Sequence, residues 1–310
     1  MKARGRPSPG FRRSYTSRMS LVWVNGSLLD KAAARVSPFD HGFLYGDGVW
    51  EPLRVFGGRL FRPDEHFQLL SEAADRISLT LPYTPDELTS ATEATVAANR
   101  RTEGYCRVIV TRGPGTVGPD PRKLDPQVFI TAEEYQPFPS ELYTTGLHAE
   151  SAPYPVPQDP LVWVRVLGQP HVVRAKQHAL SRGCLEGIIW DEAGEMLWAT
   201  EGNICVVRPG SRVVGVAGPW GVGLPNRTMA EVVSAAGYEL RVEGKVGLGT
   251  LAGADEAFIA GTACGIVGLT RLNGQPIGSG SEGPVTRQVR EAYHALTRGA
   301  DTIPAEGGVP

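Results

Sequence analysis

The sequence predicts two α+β domains, each carrying a mixed sheet with helices against it. Three observations carry this. Short apolar or β-branched runs alternate with stretches of helical periodicity along most of the chain. At 310 residues the chain is long enough for two modest cores. Between the halves, residues 152–160 hold four prolines in nine positions, which excludes a helix or a central strand and reads as an extended link. The predicted division is a basic disordered leader over 1–18, one domain over 19–151, a linker over 152–160, a second domain over 161–297 and a frayed tail over 298–310.

Each element has a local reason. LVWV at 21–24, followed by Asn25-Gly26, reads as a strand entering a tight hairpin. Across 63–79, Phe67, Leu70, Ala74 and Ile77 recur at helical spacing and give one buried face. Residues 105–111 and 128–131 are strands bounded by Gly and Pro. Beyond the linker, 172–182 is helical, and 186–190, 195–199 and 204–208 are short strands. Residues 228–236 form a helix stopped by Gly237; 256–260 is a strand and 285–297 a terminal helix.

Composition narrows the function. A formal net charge of −2 lacks the basic field of a nucleic-acid binder, and no apolar run reaches the length of a membrane span. Residues 1–18 hold six cations and no acid, without the apolar stretch of a signal peptide. Cys106, Cys184, Cys205 and Cys264 have no metal-ligand spacing. Three of them fall in apolar runs, so free thiols and a reducing, cytoplasmic setting are expected.

Several blocks then occur in order: SPFDHGFLYGDGVWE (37–51), RVFGGRLF (54–61), DEH (64–66), YCRVIVTRG (105–113), Gly194 to Asn203, Leu224-Pro225 with Thr228, ADEAFIAGTA (254–263) and GPVT (283–286). Together they resemble the class IV aminotransferases of pyridoxal-phosphate fold type IV. That family includes branched-chain and D-amino acid aminotransferases and aminodeoxychorismate lyase. The resemblance implies a two-domain D-amino acid/branched-chain aminotransferase-like fold and a homodimer. Trp23, Phe43 and Trp50 are the apolar residues expected near its interface.

It also implies a Schiff-base lysine, a carboxylate facing the pyridine nitrogen and an arginine on the phosphate. At those positions this chain has Arg165, Trp198 and Leu69. Glu201 reaches the carboxylate position only if loop residues are deleted. A guanidinium is no amine nucleophile, so the sequence predicts that the cofactor is lost and that none is used. What remains of the site is a Tyr105-x-Arg107 pair, which in branched-chain aminotransferases grips a substrate carboxylate, with Thr228, Thr262 and Ala263.

The expected activity is therefore cofactor-free acid–base chemistry, of lyase, cyclase or isomerase type, on a small anionic metabolite. Arg107, Tyr105 and Arg165 would hold the anion, and Trp198 and Leu69 would form the apolar wall. Tyr45, Asp47, Glu51 and His41 are the candidate proton-transfer groups. Two alternatives stand beside it: a pyridoxal-phosphate-dependent aminotransferase or lyase using Lys176 as a displaced lysine, and a non-catalytic binding homologue.

Overall fold

A computed structural model describes residues 20–122, 124–157, 159, 161, 164–208, 212–216, 224–243 and 246–299. The predicted leader over 1–18, most of the tail beyond 298 and parts of the proline-rich segment lie outside the described residues.

The first sheet has six strands: β1 (Leu21–Val24), β2 (Ser27–Asp30), β3 (Gly48–Phe56), β4 (Arg59–Leu60), β5 (Gly104–Thr111) and β6 (Gln127–Glu133). Their order is β2-β1-β6-β5-β3-β4 and every pairing is antiparallel. The β1–β2 turn has Asn25 and Gly26 both at positive φ, as a tight hairpin requires. A short helix, α1 (His41–Tyr45), is capped by Asp40, which accepts from the Gly42 amide at 2.7 Å.

Helices α2 (Pro63–Arg76) and α3 (Pro85–Ala98) cover one face of this sheet. Phe67, Leu70, Ala73 and Ala74 of α2 pack on Val49, Leu53, Cys106, Val108 and Val110. The alternation of β3 and β5 then sends Trp50, Pro52, Tyr105, Arg107 and Ile109 to the opposite face.

Among the described residues the second sheet has nine strands and runs β12-β11-β10-β13-β14-β7-β8-β9, with β15 beside β14. These are β7 (Leu147–Ser151), β8 (Glu186–Trp190), β9 (Met196–Ala199), β10 (Asn203–Arg208), β11 (Arg212–Val216), β12 (Leu240–Glu243), β13 (Glu256–Gly261), β14 (Gly265–Leu272) and β15 (Gln275–Pro276). The remaining helices are α4 (Leu142–Thr145), α5 (Pro170–Ser181), α6 (Asn226–Ala235) and α7 (Pro284–Gly299). Val232 and Val233 of α6 and Val289 and Tyr293 of α7 bury against Phe258 and Ile266.

Two details correct the sequence reading. The crossing between sheets precedes β7, because Leu147–Ser151 pairs with β14 and β8 in the second sheet. The chain after the prolines then returns to the first domain. Val164 packs in the first core, the Trp50 amide donates to the Arg165 carbonyl at 3.0 Å, and the Leu167 amide donates to the Gly48 carbonyl at 3.0 Å. Residues 165–167 thus take the open edge of β3. Trp23 is not a surface residue: it is buried, edge-on to Tyr83.

Candidate functional site

The face of β3 and β5 that turns away from α2 and α3 meets the second domain across a cleft of about 520 Å³. Trp50, Tyr105, Arg107 and Arg165 line one side; Thr200, Glu201, Thr262 and Ala263 line the other. The volume suits a small ligand.

Arg107 is the exposed cation of this space. Its guanidinium carbon stands 4.3 Å from the Trp50 ring centroid, and its Nη2 donates to the Tyr105 hydroxyl at 3.2 Å. Burial pushes the Tyr105 phenol up, outweighing the opposing effect of Arg107. The phenol therefore stays an uncharged donor beside a fixed cation.

Arg165 is held differently. Its Nη1 lies 2.5 Å from both Glu51 carboxylate oxygens, and His66 Nδ1 lies 2.7 Å from Glu51 Oε1. All three side chains are buried. Arg165 thus borders the cleft while its charge is matched on the core side of β3.

Behind the opposite wall, outside the residues that line the cleft, Lys176 of α5 places Nζ 3.2 Å from Glu201 Oε1 and 3.9 Å from Glu186 Oε2. Glu186 is fully buried. Desolvation pushes it up to about 7, against the lowering effect of Lys176 and of the Thr200 hydroxyl. Its Oε2 and the Oδ1 of Asn203 are buried without a hydrogen-bond partner. The Glu201 turn is fixed by close backbone approach, since a Cβ on Gly261 would stand 2.0 Å from the Glu201 carbonyl oxygen.

The other sequence candidates are dispersed. Tyr45 and Asp47 face a separate cavity of about 720 Å³ beneath the proline-rich segment. Asp47 takes a bidentate bond from Arg112 at 2.7 and 2.9 Å. His41 is buried, with Nε2 2.9 Å from the Thr116 carbonyl. None of the three lines the cleft, because α1 packs beyond the end of β3. Glu51 is committed to Arg165 and His66.

Leu69 faces a small void with Glu51 and Arg165 rather than the cleft itself. Thr228 is buried, 3.3 Å from both Arg62 and Glu65. Trp198 does border the cleft, but only 2% of its surface is exposed, and it is chiefly core with Ile189, Leu197 and His171. Glu201, set aside in favour of Trp198, and Trp50, expected near a subunit interface, both line the cleft. Strand alternation from Arg107 would have found Trp50, its near neighbour across β3 and β5.

A family model, Amino-transferase class IV, matches residues 48–272. The chain belongs to the class IV aminotransferases. It is 33% identical over 276 residues to a Methanocaldococcus jannaschii protein provisionally named a branched-chain-amino-acid aminotransferase, covering 88% of this chain and 94% of the other. It is 27% identical to the D-alanine aminotransferase of Staphylococcus haemolyticus, covering 89% and 97%.

Among solved structures, the Escherichia coli branched-chain aminotransferase superposes with a TM-score of 0.84 at 24% identity, over 94% of this chain and 98% of that one. The T.th. branched-chain aminotransferase with pyridoxamine 5'-phosphate gives 0.83 at 25% identity, over 91% and 95%. These relatives correct the expectation that the cleft uses no cofactor: aminotransferases, one of them holding pyridoxamine phosphate, point to pyridoxal phosphate. Among the described residues no helix is long and apolar enough to cross a membrane, and no His, Cys, Asp and Glu cluster could hold a metal.

Proposed function

We propose that this class IV aminotransferase acts on a small amino or oxo acid whose carboxylate seats on Arg107 and Tyr105, with pyridoxal phosphate as cofactor. The observation that carries the reading is the Arg107 guanidinium, stacked on Trp50 and opening into the interdomain cleft. A planar cation next to a neutral phenol is suited to bidentate carboxylate recognition. The names of the relatives, branched-chain and D-alanine aminotransferases, support an α-amino acid substrate.

This is a divergent member of the family. The positions that resemble its cofactor contacts carry Arg165, Leu69 and Trp198, so other residues must hold the group. Lys176 is the amine nearest the cleft among the described residues, with Glu201 between them. Thr262 and Ala263 on the cleft wall offer a hydroxyl and amides, and Glu201 offers a carboxylate. The buried Asn203 Oδ1 and Glu186 Oε2, neither of which accepts a hydrogen bond, mark unsatisfied polarity near this wall.

When bound, pyridoxal phosphate supplies the aldehyde and electron sink of amino-group chemistry. The chain's own part is to bind and orient. Arg107 and Tyr105 fix the carboxylate, Trp50 gives an apolar floor, and Glu51 holds Arg165 in place. Lys176 must first leave Glu201 to act as an amine, and Glu201 and Glu186 are the carboxylates able to take its proton.

The same reading includes a homodimer. Val36, Phe39, Phe43, Tyr45 and Val117 are exposed on segments tied together by the Tyr45 hydroxyl on the Val117 carbonyl and the Gly115 amide on the Phe39 carbonyl. Such a patch is larger than isolated surface apolars need. Amino transfer from leucine to 2-oxoglutarate, measured with added pyridoxal phosphate, tests the activity. Turnover lost in both Lys176→Ala and Arg107→Ala supports it; no turnover with any of the common amino acids in the wild type, or full turnover in Lys176→Ala, overturns it.

A further inference from the structure

We propose that a second cavity, behind the Thr262–Ala263 turn, binds a small carboxylate with an aromatic body. The cavity holds about 590 Å³ and is lined by Arg54, Phe56, Tyr143, Tyr293 and Arg298, among others. It meets the substrate cleft only at shared wall residues, Tyr135 and Ala263.

Arg54 is the reason to expect an anion. Its Nη1 donates to the Ala263 carbonyl at 3.1 Å, and its guanidinium carbon lies 5.2 Å from the Phe56 ring centroid. The side chain is half-buried, and no carboxylate pairs with it among the described residues. A carboxylate entering the cavity would meet that charge with charge-assisted bonds.

The surroundings agree. Arg290 and Arg298 also line the cavity; the acids near it are Glu103 at its rim, Glu282, which is already bound to Arg290, and Glu201, whose charge reaches Tyr135 and Tyr143 and which is itself paired with Lys176. Glu103 accepts from the Gly57 amide at 3.2 Å. The His294 imidazolium is disfavoured first by burial and then by Arg298 and Arg290, a sign of a positive field. Burial raises the Tyr143 and Tyr293 phenols, so both stay O–H donors at neutral pH. With Phe56 and Tyr135 they give the cavity aromatic walls. An aryl carboxylate meets all of these groups.

Isothermal titration with sodium benzoate separates this cavity from the cleft. Benzoate binding that survives Arg107→Ala, and is weakened at least tenfold by adding Arg54→Gln, is the expected result. Thr144→Trp, a substitution at the exposed rim that alters no charge, fills the cavity and must abolish the same component while circular dichroism shows a folded chain. If Arg107→Ala removes all benzoate binding, or the surviving component is unchanged in both Arg54→Gln and Thr144→Trp, the cavity is not a carboxylate site. Neither result bears on the cleft's own activity.

Discussion

Arg107 lies over the Trp50 ring at 4.3 Å from its centroid, across the β3–β5 pair that forms the floor of the interdomain cleft. Strand register makes this contact. Pro52 pairs with Arg107 and Trp50 with Ile109, so all four side chains share a face. Arg165 approaches the same ring at 5.8 Å but is balanced by Glu51. The unequal pairing leaves Arg107 as the cation for a ligand.

Arg107→Ala should therefore weaken binding of 4-methylvalerate by about 1.5–3 kcal/mol, the range for a hydrogen bond to a charged group. Wild-type affinity should fall as salt rises, and the variant's should change less. Calorimetry at two ionic strengths checks both. Equal affinity in the two proteins would make Tyr105 and Arg107 structural residues of a strand.

Glu186 predicts a pH effect on stability. Burial raises its folded value to about 7, from 4.5 in the unfolded chain. The folded state then binds the extra proton between those values, so this group's contribution declines as pH rises through that window and its penalty is complete above about 7. Glu186→Gln should melt higher than wild type at pH 8, by about 3 kcal/mol of stability, with the difference vanishing near pH 4. A difference that grows toward acid would contradict the assignment.

The exposed aromatic patch predicts the assembly. Phe43 is 70% exposed on a helix whose other face is fixed by Asp40 and Thr111. Wild type should sediment as a dimer at micromolar concentration, and Phe43→Glu should give a folded monomer. A monomeric wild type would rule out the dimer.

Much of the fold was legible because periodicity is local. The α2 stripe of Phe67, Leu70 and Ala74 and the alternation at Tyr105 and Arg107 need only neighbouring residues. Among the elements the structure adds are β3, whose run is interrupted by Pro52, β7, β11 and β14, the last two with glycine-interrupted runs that carry weak strand signals, and α3, whose Ala- and Thr-rich sequence gives a shallow apolar stripe.

The site was less legible because it depends on long-range placement. Asp47 looked like a proton-transfer group until Arg112, 65 residues away, claimed both its oxygens. Trp198 looked like a ligand wall, yet most of its surface packs in the core of the second domain. Glu201 was passed over because residue counting favoured Trp198; its place on the cleft wall comes from the backbone contact with Gly261. The expectation of no cofactor rested on three positions, and the relatives of the whole chain overturn it.

The most direct test concerns Lys176. Incubating the protein with pyridoxal phosphate, reducing with borohydride and mapping the modified peptide by mass spectrometry reads the cofactor's attachment without any turnover. One stoichiometric adduct on Lys176 is predicted, with an absorption band before reduction, and neither should occur in Lys176→Ala. No adduct above the level of surface lysines such as Lys31, or an adduct that persists in Lys176→Ala, would contradict the assignment of Lys176 as the cofactor's amine.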